Sequence, residues 1–215
     1  DAEGLMLAGA LGYIPGTKTL FSSISKVDAG EVVTVHEDGT MSRSYFSPQF
    51  DEPLEGTPKE VLERVVTEHL QSKQKVALNL SGGLDSSVLL HEMKEAGHTL
   101  TTYTTAFEGA GESFNDDAAI AKKLARDYGT KHTEILISKD VYLDNFIRSY
   151  ERLEEPNYNI SLPTYLEVAR REGASGDGNR VILSGNGGDE VFGGYRYYAE
   201  SVRYQYLMNR ISSPL

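Results

Sequence analysis

Two stretches of this chain combine small residues with acids and hydroxyls in a spacing that suits phosphate chemistry. Residues 78–89 read Leu-Asn-Leu-Ser-Gly-Gly-Leu-Asp-Ser-Ser-Val-Leu. An apolar strand ends in Ser81-Gly82-Gly83, and a helix opens with Asp85, Ser86 and Ser87. Glycines without a Cβ bend sharply and let an anion come close to backbone. The first N–H groups of the helix lack internal partners and carry the positive end of its dipole, so they can seat a pyrophosphate. The hydroxyls of Ser81, Ser86 and Ser87 can add donors. The same residues also read as an ordinary turn with ordinary helix caps. Gly-x-x-x-x-Gly-Lys-Ser is absent, so this is not a Walker A loop.

Residues 183–195 read Leu-Ser-Gly-Asn-Gly-Gly-Asp-Glu-Val-Phe-Gly-Gly-Tyr. Asp189 and Glu190 stand where a helix should begin, and each would serve there as a cap. Read with Asp85, Asp189 becomes a second ligand for Mg²⁺, which takes one or two carboxylates together with phosphate oxygens and waters.

Positioning these turns requires strands that end at one edge. Val76–Leu80, Thr99–Phe107, His132–Ile137 and Arg180–Leu183 read as strands. Helices are expected over Glu60–Leu70, Asp85–Ala96, Val141–Leu153, and from Pro163 through Arg171. Asn115 is expected to cap another helix, with Ile120, Leu124 and Tyr128 on its inward face. On the helix after Gly83, Val88, Leu89, Met93 and Ala96 should face inward. The alternation predicts an α/β fold, a doubly wound parallel sheet of about five strands with helices on both faces. Ligands of such sheets bind outside the carboxyl ends of the strands, where both glycine turns fall. Before this lies a short β-rich segment: Glu31–His36, the turn Asp38-Gly39 and Thr40–Phe46 read as a hairpin, and Pro48–Pro58 as a linker.

The chain has 215 residues, 39% hydrophobic and 25% charged, a composition of globular proteins. A net charge of −11 disfavours nucleic acid and anionic membrane as partners. Cysteine is absent, which excludes disulfides, thiolate metal sites and a cysteine nucleophile, and is compatible with a cytoplasmic setting. The start, Asp1-Ala2-Glu3-Gly4, has neither an initiator Met nor a basic leader, so a fragment of a longer product is expected.

Ser-Gly-Gly-Leu-Asp-Ser-Ser resembles the PP-loop of the N-type ATP pyrophosphatases. Joined to Ser184-Gly185-Asn186-Gly187-Gly188-Asp189-Glu190-Val191-Phe192-Gly193-Gly194-Tyr195, it resembles the synthetase domain of glutamine-dependent asparagine synthetases. Leu162-Pro163-Thr164-Tyr165-Leu166 and Gly129-Thr130-Lys131-His132-Thr133-Glu134 are similar to further segments of that family. Gly12–Phe21 is similar to the last stretch of its glutaminase domain. The resemblance implies residues 1–55 as the tail of a glutaminase-type domain with linker. It implies 56–215 as a PP-loop ATP-binding domain of the adenine nucleotide alpha-hydrolase kind, its C-terminal part missing. By the same resemblance, Ser81, Gly82, Gly83, Asp85, Ser86 and Ser87 bind the pyrophosphate of ATP with Mg²⁺. Leu80 contacts the nucleotide through its backbone, Thr105 lines the adenine, Ser184 and Gly185 close the other side, and Asp189 is the second metal ligand. The implied reaction adenylates a small carboxylate, aspartate favoured, and ammonia from a glutaminase domain then displaces AMP.

Asn186 departs from the family pattern, in which many members carry Glu and others Asp. A carboxylate there could act as a base, whereas Asn hydrogen-bonds without taking a proton. Asn186 is therefore the candidate residue beside the reacting centre, with the base or the acceptor left open. The family's pyrophosphate-binding lysine lies further downstream than Leu215, and the glutaminase cysteine is absent. Alternatives retained are a related PP-loop enzyme (β-lactam or peptide cyclisation, sugar amidation, tRNA modification) and a non-catalytic nucleotide-binding module. His132 is expected to shape a strand entry. The sequence leaves the oligomeric state open, a homodimer included.

Overall fold

The structure, a computed structural model, describes residues 1–47, 55–71, 75–111, 115–176 and 178–212. Most of the expected linker, residues 48–54, lies outside them. The chain divides into two compact units, residues 1–57 with 137–170 and residues 58–136 with 171–215.

The first unit opens with α1 (Ala2–Leu11), capped by the Asp1 carboxylate and ended by left-handed Gly12. Its Gly- and Ala-rich sequence carries no clear helical stripe, and the sequence reading passed over it. β1 (Glu31–Val35) and β2 (Met41–Tyr45) form the expected antiparallel hairpin, with Glu31 opposite Tyr45 and Val35 opposite Met41. Gly39 adopts a φ of 82° in the turn. The unit also holds α5 (Lys139–Leu153) and most of α6 (Leu162–Ala174). Here Asn145 donates to Pro163 O and to buried Glu167, which also pairs with Arg170.

The second unit is built on a sheet of four strands among the described residues, in the order β5-β4-β3-β6. These are β3 (Lys75–Asn79), β4 (Thr101–Phe107), β5 (Lys131–Ile137) and β6 (Asn179–Leu183). β3 is central and parallel to both β4 and β6. In β4, Thr102, Tyr103 and Thr104 are buried in succession, so both faces of that strand are covered, as parallel sheets require. Three helices pack their apolar faces on one core: α2 (Pro58–Leu70), α3 (Leu84–Glu95) and α4 (Asp116–Asp127). Val66 and Leu70 of α2, Leu90 and Met93 of α3, and Ala121 and Ala125 of α4 meet Leu78 and Leu80 there. The short α7 (Gly188–Phe192) and α8 (Arg196–Ser212) follow β6. No helix among the described residues is long and apolar enough to cross a membrane.

Leu89 and Met93 of α3, Leu124 of α4 and its C-cap Tyr128 pack on the core as expected, but two expected inward residues do not. On α3, Leu90 is buried beside Met93 while Ala96, just past its end, is exposed. On α4, Ala118, Ala121 and Ala125 face the core and Ile120 is 46% exposed. The reason is proximity. α4 runs so close to the loop after β3 that its Asp117 carbonyl stands where a Cβ on Gly82 would be, and only small side chains fit that approach.

His132 enters β5 at its second residue, as expected of a strand-entry role, and organises a buried polar chain. The His132 Nδ1 and Thr130 Oγ1 atoms each lie 2.9 Å from Thr102 Oγ1, and Thr130 donates to the Ala125 carbonyl. That carbonyl fixes the direction: His132 Nδ1–H to Thr102, Thr102 to Thr130, Thr130 to Ala125. Nδ1 therefore carries a proton, and because the buried Nε2 has no partner among the described residues to receive a second one, the neutral form is favoured. Burial lowers the His132 pKa from its ordinary 6.5, against the pull of the Glu134 carboxylate and with help from the Lys122 ammonium. A depressed histidine binds its proton more readily in the unfolded chain, so acid favours unfolding. This contribution to stability should be intact above about pH 6.5 and lost as the pH falls toward the lowered value. Urea denaturation from pH 7.5 to 5 should show a shallower loss in His132→Gln than in wild type; parallel curves would contradict the neutral assignment.

Candidate functional site

The registers of the sheet bring three strand ends to one rim. Asn79 is level with Tyr103 and Leu78 with Leu183. Thr105 lies two residues beyond Tyr103 on β4, and Ser184 and Gly185 follow the end of β6 directly. Leu80 itself is fully buried, and its N–H donates to the Tyr103 carbonyl at 2.8 Å.

The loop after β3 is braced from within. Ser86, 2% exposed, accepts from the Ser81 N–H at 3.2 Å and donates to the Gly83 carbonyl at 3.1 Å. Ser81 Oγ lies 3.0 Å from Ser86 Oγ and accepts from the Gly83 N–H. Ser87 Oγ donates to the Gly83 carbonyl at 2.7 Å. The three serine hydroxyls therefore hold the shape of the turn, and the donors facing outward are the backbone groups of the first turn of α3. Gly83 stands at the N-cap of α3 and supplies no side-chain cap.

The two glycines differ. Gly82 has a left-handed φ of 83°, and a Cβ there would lie 2.3 Å from Asp117 O. Gly83 has ordinary extended angles, and a Cβ there would meet only Ser81 Oγ, at 3.4 Å. The bare surface over Gly83 is thus open to a ligand, whereas Gly82 is demanded by the fold.

The second glycine turn lies directly on α3. A Cβ on Gly185 would fall 2.8 Å from both Asp85 Cβ and Ser86 N, and one on Gly188 would fall 2.5 Å from Asp85 Cγ. The turn after β6 and the turn after β3 are therefore in contact, with the Asp85 carboxylate between them. Asp189 follows Gly188 at once. Its own carboxylate folds against Gly194, whose N–H donates to Asp189 O at 2.9 Å. Tyr195 closes this turn by donating to Glu190 at 2.9 Å, and that bond, with the two nearby acids, pushes its phenol up to about 12. Sequence reading did not single out Tyr195 or Glu190 as a pair; their spacing across two glycines was the available signal.

Asp85 and Asp189 offer hard oxygen donors of the kind Mg²⁺ takes beside phosphate oxygens and water. Among the described residues no group of three or more His, Cys, Asp or Glu is placed to hold an ion. A cavity of about 570 Å³ adjoins Asp85 and the turn Ser184, Gly185 and Asn186, and its other wall is apolar, including Leu62, Val88, Leu89 and Phe192. Arg196 pairs with Glu200 at 3.1 Å.

The two glycines give a paired test. Gly82→Ala should cost at least about 2 kcal/mol in urea denaturation, from backbone strain plus the carbonyl overlap. Gly83→Ala should stay within about 1 kcal/mol of wild type. Equal losses at both positions would contradict the distinction.

The asparagine synthase family profile matches residues 58–213. Asparagine synthetase [glutamine-hydrolyzing] 1 of Bacillus subtilis is 30% identical over 209 residues, covering 93% of this chain and 32% of that protein. A putative asparagine synthetase [glutamine-hydrolyzing] 2 of Methanocaldococcus jannaschii is 30% identical over 221 residues, covering 96% and 41%. The chain thus spans roughly a third of the length of these relatives. Among solved structures, a glutamine-dependent NAD+ synthetase from Acinetobacter baumannii, in complex with adenosine diphosphate, aligns with a TM-score of 0.46 at 19% identity, over 77% of this chain and 32% of that one. With the profile spanning the whole of the second unit's sheet and both glycine turns, the chain belongs to the asparagine synthase family.

Proposed function

We propose that this chain is the nucleotide-binding part of an ATP-dependent, amide-forming ligase that adenylates a carboxylate. The observation that carries the reading is the contact of the two glycine turns at Asp85, beside the uncapped start of α3. In this reading the backbone N–H groups of that first turn hold the β- and γ-phosphates. Leu80, Thr105, Ser184 and Gly185 border the nucleoside. Asp85 and Asp189 would hold Mg²⁺, which supplies positive charge against the phosphate oxygens when bound.

The chemistry balances in two displacements. A carboxylate oxygen of the acceptor attacks the α-phosphorus, and the bond to the β-phosphate oxygen breaks with release of pyrophosphate. Ammonia nitrogen then attacks the acyl carbon, AMP leaves with the bridging oxygen, and the nitrogen sheds a proton. Asn186, at the turn bordering the cavity, can orient the acceptor or the amine through its amide but cannot take that proton at neutral pH. The proton therefore goes to another base or to water. Aspartate is the favoured acceptor by family, and ammonia would come from a glutaminase domain.

ATP–pyrophosphate exchange across candidate carboxylates tests this directly. Wild type should bind ATP in a Mg²⁺-dependent manner and exchange label with an accepted carboxylate. Asp85→Ala should weaken ATP binding at least about tenfold, one lost charge-assisted contact's worth. Undiminished binding in that variant would overturn the site, and binding without exchange by any carboxylate would favour a nucleotide-binding module.

A further inference from the structure

We infer that Asn115 is a positioning residue for the nucleotide seat, a role that rests on the ATP-binding reading above. Asn115 occupies the N-cap of α4, where an amide oxygen ordinarily accepts from the helix's own first N–H groups. Here it makes no such bond. Its Oδ1 instead accepts from the Phe107 N–H at 3.0 Å, and its Nδ2 donates to the Phe107 carbonyl at 3.0 Å. The side chain thus copies a strand's hydrogen-bonding edge and ties the last residue of β4 to the first turn of α4.

That tie bears on the seat because of what α4 touches next. The Asp117 carbonyl and the Ala121 N–H, both in the first turns of α4, form the wall behind Gly82, with 2.3 Å and 3.2 Å to the position of a Cβ there. Ala118, Ala121 and Ala125 are buried, so no long side chain cushions the approach. The Asn115 amide is thus one direct tie between the strand that carries Thr105 and the helix that backs the Gly82 loop. The sequence makes Asn115 look like a routine cap; the structure shows a cap forgone for a clamp.

An aspartate variant separates clamp from cap. In Asn115→Asp one oxygen still accepts from the Phe107 N–H, but the other opposes the Phe107 carbonyl. Ionised, it repels that carbonyl; protonated, its O–H restores the second bond. A cap would show the opposite preference, since a charged Asp is favoured at a helix start.

The experiment is calorimetric titration of MgATP into the full chain, with circular dichroism confirming that each variant is folded at the temperature used. Asn115→Ala should weaken binding about tenfold. Asn115→Asp should do the same at pH 8 and recover to within about threefold of wild type at pH 5, each compared with wild type at the same pH. Variants that bind like wild type at both pH values, whatever their melting temperatures, would reduce the clamp to a structural role and overturn the inference. Asn115→Asp that binds better at pH 8 than at pH 5 would overturn it in favour of a cap. Wild type that binds no ATP would overturn the underlying function first, and is seen before any variant is read.

Discussion

Everything at the rim depends on how closely two backbones approach. The turn after β6 rests on the first turn of α3 and on the Asp85 side chain, because positions 185 and 188 have no side chain of their own to stand in the way. A single Cβ at either place would overlap Asp85. That contact converts two separate glycine turns, each unremarkable by itself, into one surface. It also fixes Asp85: with backbone against its Cβ and its carboxylate, the side chain has little freedom, and a group held still in advance loses less on binding an ion or a phosphate.

The same economy of side chains recurs one layer further back. Gly82 faces α4 across a gap that admits no Cβ, and α4 answers with alanines. The serines of the loop then close it with their hydroxyls, bonding to one another and to the Gly83 carbonyl. Glycine sets the path, alanine lets the neighbour in and serine locks the result. The loop spends its Ser81 and Gly83 N–H groups on these hydroxyls and leads into an α3 start with no side-chain cap, which suits an anion approaching without a bulky side chain in the way.

Much of this was legible in the sequence. The four strands, the parallel order and the glycine turns at the carboxyl edge follow from period, turn residues and βαβ logic. What was not legible has a common cause. Helix faces read from apolar period place Ile120 and Ala96 inward, yet both are exposed: the period cannot say that a backbone will pass too near α4 for a large residue, nor that α3 ends before Ala96. Asn115 read as a cap because a cap is the local choice, while its real partner, Phe107, is set by the sheet. The serine hydroxyls read as ligand donors because the sequence does not reveal that the loop consumes them. α1 was missed because glycine and alanine dilute its pattern. Local signals were reliable where the chain obeys local rules, and failed where tertiary approach overrode them.

Charge adds the last constraint. On the function proposed above, a chain with a net charge of −11 would receive a polyanion at a rim that already carries Asp85, Asp189 and Glu190. Several basic side chains on the surrounding helices are paired with acids: Lys59 with Glu63, Lys122 with Glu134, Lys123 with Asp127, Arg196 with Glu200. In the proposed reading, positive potential for phosphate would come from helix backbone and from a divalent ion that the acids would hold. On this view the acidic rim and the phosphate seat are one requirement, since carboxylates that would repel a bare nucleotide are the groups that recruit its metal. Binding should then depend on the ion more steeply than in a site furnished with lysine, and the backbone contact at Asp85 is what keeps ion and phosphate within reach of one another.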